Sequence, residues 1–183
     1  MTTTAFVAIA VANPEVIMWQ IKNMGMFYFM IVLSLIAECC IICNRDLGRT
    51  VPINYALLGV VTVGQSYCLS MICAFYTPES VFMVLLVTTL SFVAMSLYAI
   101  NTTTDLTIFG SVLAGASMAM VAMAMILMFT NCPVLRMIYD LIGTVLALLF
   151  VAVDTQMIFN EKKHGIEFDD YILAAMMIYL DFI

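Results

Sequence analysis

Residues Val81–Ile100 read VFMVLLVTTLSFVAMSLYAI, twenty consecutive residues without a charged side chain. A helix rises about 1.5 Å per residue, so roughly 20 apolar residues cross a hydrocarbon layer about 30 Å thick. The segment therefore predicts a transmembrane helix. It is set off by turn chemistry on both sides. Tyr76-Thr77-Pro78-Glu79-Ser80 forms a turn that caps it, and Asn101-Thr102-Thr103-Thr104-Asp105 forms the loop that follows.

The pattern repeats outward in both directions. Upstream lie Asn54–Phe75, preceded by Pro52 at a position suited to a helix start, and Met24–Cys43, broken only by Glu38. Downstream lie Ile108–Phe129 and a run from about Leu135 to Phe159. Ala5–Ala12 is too short to span alone and reads as the tail of a first helix, and Tyr171–Ile183 begins a seventh. The expectation is one membrane-embedded domain over 1–183, an all-α multi-pass bundle of six to seven helices. Helix one is partial (4–13), the next five are near 24–43, 54–75, 81–100, 108–129 and 135–159, and helix seven is partial (171–183). A barrel does not fit, because barrel strands alternate apolar and polar residues and these runs are apolar throughout. Ser111, Gly115 and Ala119 recur every four residues, a small-residue ridge that lets another helix approach closely.

Composition gives the same class. Apolar residues make up 65% of the 183 and charged residues 10%, against about 45–50% and about 25% in a soluble domain. That excludes disorder and an ordinary soluble enzyme. The net charge of −6 argues against a nucleic-acid partner and leaves the lipid bilayer as the expected one. Of the six cysteines, Cys39, Cys40, Cys43, Cys68 and Cys73 fall in apolar runs and read as small hydrophobic residues. Cys40 and Cys43 form a CxxC, a weak redox or metal signal inside a hydrophobic helix. His164 has no partner cluster, so no zinc site is predicted. No basic leader, nucleophile–base pair, HExxH or phosphate loop is present, and no enzymatic activity is expected.

Lys and Arg set the topology. The loops after helices two, four and six carry Arg45, Arg49, Lys162 and Lys163, against Lys22 and Arg136 on the other side. Four against two places the even loops, and the N-terminus, on the cytosolic-type side.

Most charges sit between the runs, but Glu38, Asp154 and Asp181 lie within them. Ionisable groups in hydrocarbon cost several kcal/mol, so each needs a reason. Asp154 lies six residues before Asn160, about 9 Å along its helix, and Asp181 lies ten residues after Tyr171, about 15 Å along the next. Both helices leave the same loop, so the two acids reach comparable depths on antiparallel neighbours. Two close carboxylates do not both ionise cheaply, so such a pair shares a proton or receives a cation, and is a candidate gate. Arg49 follows Glu38 by eleven residues, about three turns, and points the same way if the helix continues. It can snorkel to the interface or reach a carboxylate. For Glu38 the structural alternative is an interhelical hydrogen bond. Asp140, early on helix six, reads as an interfacial acid.

These motifs resemble the transmembrane Bax inhibitor motif family, and its Lifeguard branch most. The matching stretches are Pro52–Leu58 (PINYALL), Tyr98–Thr107 (YAINTTTDLT), Ile142–Thr144 (IGT), Asp154–Gln156 (DTQ), Lys162-Lys163-His164 and Tyr171–Ile183 (YILAAMMIYLDFI). They run in family order, and DTQ paired with YLDFI at this spacing is the specific part. The resemblance implies a seven-helix bundle and a pH-sensitive calcium leak across an internal membrane, linked to cell-death control. It implies that Asp154 and Asp181 form a proton-sensing pair, that Arg49, after helix two, latches onto that pair, and that Glu38 matches an acidic position on helix two. Calcium is then the permeant or bound ion at Asp154 and Asp181, with no other cofactor. The resemblance places the chain in the endoplasmic reticulum or Golgi membrane, with the mitochondrial inner membrane as the alternative. Against the family, helix one lacks its first half and helix seven stops at YLDFI. The competing function is a non-transporting structural or accessory subunit of a larger membrane complex that retains the fold.

Overall fold

The computed structural model describes residues 2–130, 132–159 and 168–183. The described residues contain no strand. In chain order the helices are α1 (Thr2–Ala12), α2 (Pro14–Lys22), α3 (Met24–Cys43), α4 (Arg45–Arg49), α5 (Ile53–Cys73), α6 (Pro78–Asn101), α7 (Gly110–Phe129), α8 (Pro133–Phe159) and α9 (Tyr171–Phe182). Short 3-10 turns at Leu106–Phe109 and Phe168–Asp170 precede α7 and α9. Helices α3, α5, α6, α8 and the segment Leu106–Phe129 are long and apolar enough to cross a membrane, with mean hydropathies from 1.6 to 2.4.

The local chemistry explains the boundaries. Pro14 begins α2 after Asn13, whose extended backbone ends α1 and whose side-chain amide donates to the Ile9 carbonyl at 2.8 Å. Glu15 in the first turn and Lys22 in the last complement the helix dipole of α2. This helix occupies a stretch to which the apolar runs assigned none. Its polar and apolar residues are interleaved, with Gln20 buried and Trp19 exposed. At α6 the Thr77 hydroxyl accepts from the Ser80 amide at 3.4 Å, a side-chain cap at the predicted turn.

The chain divides into two compact units. The first holds α1 to α5, the start of α6, the turn at Phe168–Asp170 and most of α9. Its core forms where α5 packs on α3 and α1. Ser34, Ala37 and Ile41 present the buried face of α3, and Val61, Gly64, Tyr67, Cys68 and Met71 lie buried on α5. Gly64 permits the close approach of α3 and α5. A Cβ there would collide with the Ser34 hydroxyl and stand 3.2 Å from the Met30 carbonyl.

The second unit holds the rest of α6, α7, α8 and the last residues of α9. Helix α7 packs on α8, with Leu113 and Leu127 buried and Gly143 receiving the Met120 methyl. The Ser111–Gly115–Ala119 ridge is exposed, and the space beside Gly115 is open.

Candidate functional site

The DTQ triplet lies within the last two turns of α8, and its three residues have different surroundings. Gln156 is buried and fully engaged. Its Oε1 accepts from the Leu106 amide at 2.7 Å, and its Nε2 donates to the carbonyls of Ala99 at 3.1 Å and Thr104 at 2.9 Å. One side chain thus closes the backbone between the end of α6 and the start of the α7 segment. The Asp105 carboxylate holds the same turn by accepting from the Thr107 amide at 3.2 Å. Thr155 is buried, and its hydroxyl donates to Ser96 at 3.4 Å. Gln156→Leu removes all three bonds. An unpaired buried amide or carbonyl costs about 1–3 kcal/mol. The Thr104 carbonyl belongs to an exposed residue and regains water, so the expected loss is roughly 2–5 kcal/mol. It is read as a lower thermal midpoint in detergent and faster hydrogen exchange at the Leu106 amide. A variant as stable as the wild type contradicts this role for Gln156.

Asp154 is half-buried. Asp181, near the end of α9, has its Oδ2 buried with no hydrogen-bond partner. The next residue, Phe182, meets Phe92 edge-on at 5.6 Å between ring centroids. Earlier on α9, the Tyr179 hydroxyl donates to the Thr62 carbonyl at 3.3 Å and bonds the Thr3 hydroxyl at 3.0 Å. At the start of α9, the buried Asn54 amide donates to the Tyr171 hydroxyl at 3.0 Å, and Tyr55 and Tyr171 pack with ring centroids 6.2 Å apart. The YILAAMMIYLDF helix is therefore held along its length by its own polar and aromatic residues.

Arg49, at the end of α4, makes a bidentate ion pair with Asp170, immediately before α9. Its Nε donates to Oδ1 at 2.7 Å and its Nη2 to Oδ2 at 2.9 Å. Neither the spacing of Arg49 from Glu38 nor the family resemblance points to this carboxylate. Glu38 instead accepts from the Gln65 amide at 2.9 Å, an interhelical hydrogen bond between α3 and α5. Asp140 is exposed beside Arg136 at a shallow cleft. Lys162, Lys163 and His164 lie outside the described residues. Among the described residues, no three His, Cys, Asp or Glu side chains are gathered for a metal ion.

A family model described as "Inhibitor of apoptosis-promoting Bax1" (Bax1-I) matches residues 1–183. The chain belongs to the Bax1-I family. With five apolar helices of membrane-spanning length, this Bax1-I member is an integral, multi-pass membrane protein. Similar proteins include protein lifeguard 3 of Homo sapiens, 25% identical over 190 residues, and of Mus musculus, 24% identical over 190 residues. Both alignments cover 100% of this chain and 60% of the relative. Protein LIFEGUARD 2 of Arabidopsis thaliana is 28% identical over 136 residues, covering 72% of this chain and 55% of that protein. The chain thus spans about 60% of the length of the lifeguard 3 proteins. No solved structure matches it.

Proposed function

We propose that this Bax1-I protein is a proton-gated calcium leak of an internal membrane, with Asp154 and Asp181 as its gate. The observation that carries the reading is the buried Asp181 Oδ2 without a hydrogen-bond donor. A carboxylate oxygen in that position is satisfied by a proton or by a cation. Asp154 and Asp181 fall in the same compact unit. When one proton is shared, the pair carries a single negative charge and the path is closed. When the proton is lost, two negative charges remain, and the helices separate or a cation enters to neutralise them.

Calcium takes six to eight oxygen ligands. Two carboxylates supply at most four, so waters complete the shell. That donor set fits an ion in passage better than a resident one. Arg49 contributes by fixing, through Asp170, the start of the helix that carries Asp181. Membership in a family described as inhibiting apoptosis-promoting Bax1 supports a role in cell-death control. The test is calcium efflux from liposomes containing the purified, folded protein. Efflux should rise as pH is raised through the titration of the pair and fall on acidification. Folded protein that passes no calcium at any pH excludes the leak and favours a non-transporting subunit of a larger membrane complex.

A further inference from the structure

Two charged side chains near the start of α8 serve neither the gate nor the packing of the helix. Arg136 is the fourth residue of α8, and Asp140 lies one turn further, about 6 Å along the axis. Both are exposed, and both line a cleft of about 240 Å³ whose other wall is Ala124, Leu127 and Met128 of α7. They do not pair with each other. Among the described residues, neither side chain has a hydrogen-bond or ion-pair partner. The order of the charges gives the reason. An acid four residues before a base pairs well on a helix, and the reverse order, found here, pairs less well. Arg136 also sits in the first turn, where the helix dipole disfavours positive charge and where α8 has no acid. Both charges therefore call for compensation from outside the chain. A phospholipid phosphate answers Arg136 but sets an anion beside Asp140. A second copy of the chain answers both, because the pair of charges is complementary to itself.

We propose that the start of α8 is the interface of a homodimer, in which Arg136 of each copy pairs with Asp140 of the other. A two-fold axis along the membrane normal keeps both copies in one orientation in the bilayer and makes the two ion pairs by a single operation. The offset of one turn in depth is bridged by the long arginine side chain. Arginine and carboxylate pair through charge-assisted hydrogen bonds, which are stronger at a membrane boundary than in open water. Val134, Met137 and Leu141 flank the charges and are largely exposed, so each copy also brings apolar surface to the contact. Asp154 lies fourteen residues beyond Asp140, about 21 Å along α8, so the interface is separate from the gate and does not depend on the leak.

The test is the oligomeric state of the full chain in liposomes, read by single-molecule photobleaching over a range of protein-to-lipid ratios. The wild type should be dimeric. Arg136→Asp alone brings four acids to the contact and Asp140→Arg alone brings four bases, so each should weaken dimerisation about tenfold or more. Mixed together, the two variants restore both ion pairs and should form a mixed dimer, a result that misfolded protein does not give. Lys22→Glu, a charge reversal at the other basic residue predicted on that side of the membrane, should dimerise as the wild type does. A wild type that is monomeric at every ratio, single variants that dimerise as well as the wild type, or a mixture that stays monomeric overturns the assignment. A monomeric wild type that retains a phospholipid lost in Arg136→Asp overturns it too, and gives the cleft to a lipid headgroup.

Discussion

Arg49→Gln is expected to lower stability by roughly 2–4 kcal/mol. Removing one partner of a fully buried ion pair costs about 3–5 kcal/mol, because the other charge stays buried without compensation. Here Asp170 is 3% exposed and Arg49 is 31% exposed, so solvent offsets part of the loss. The two hydrogen bonds of 2.7 and 2.9 Å give the pair a geometry that lysine does not reproduce, so Arg49→Lys should recover only part of the stability. The check is a double-mutant cycle with Asp170→Asn, followed by thermal unfolding in detergent. The double variant should be less destabilised than the sum of the two single variants, because neither side chain then leaves a buried charge behind. Strict additivity contradicts a direct energetic pair. Asp170 lies one residue before α9, so loss of the pair is also expected to loosen the start of that helix, seen as faster hydrogen exchange across its first turn.

The largest functional effect is expected at the two intramembrane aspartates. Asp154→Asn and Asp181→Asn each keep the side-chain shape and remove one titrating group. A single titrating proton changes its bound-to-free ratio about tenfold per pH unit, and a coupled pair loses that response when either member becomes neutral. Each variant should therefore flatten a calcium efflux profile that the wild type varies severalfold or more across the same interval. The double variant should behave like either single one, because the pair acts as a unit. If one substitution leaves the profile intact, gating resides elsewhere. Glu38→Gln serves as the comparison. Glu38 engages the Gln65 amide between α3 and α5, so its loss should affect stability more than the pH profile.

The membrane fold is legible in the sequence because lipid imposes a simple rule. Segments such as Val81–Ile100 need only be long and apolar, and the structure has a helix at each such run. Helix α2 escapes that rule. Glu15, Gln20 and Lys22 interrupt its apolar residues, and its start is set by Pro14 rather than by hydropathy. The site is legible only as a set of residue types. That Asp154 and Asp181 stand in apolar surroundings follows from composition alone. That Arg49 engages Asp170, 121 residues away, depends on where the chain returns after α8, which no local pattern encodes. The three bonds of Gln156 depend likewise on the turn after α6 folding against α8. The Ser111–Gly115–Ala119 ridge shows the converse. Its spacing predicts close helix packing, yet the ridge is exposed, because a small-residue stripe permits contact without selecting a partner.

The central claim is that Asp154 and Asp181 share one titratable proton that gates a cation path. The most direct measurement is infrared difference spectroscopy of the reconstituted protein across a pH titration, with carboxyl bands assigned by comparison with Asp154→Asn and Asp181→Asn. The account predicts one protonated-carboxyl band that disappears over the same pH interval in which calcium efflux rises and that is altered in both variants. Two carboxylates ionised throughout that interval, or a protonated band that persists while efflux changes, would contradict it.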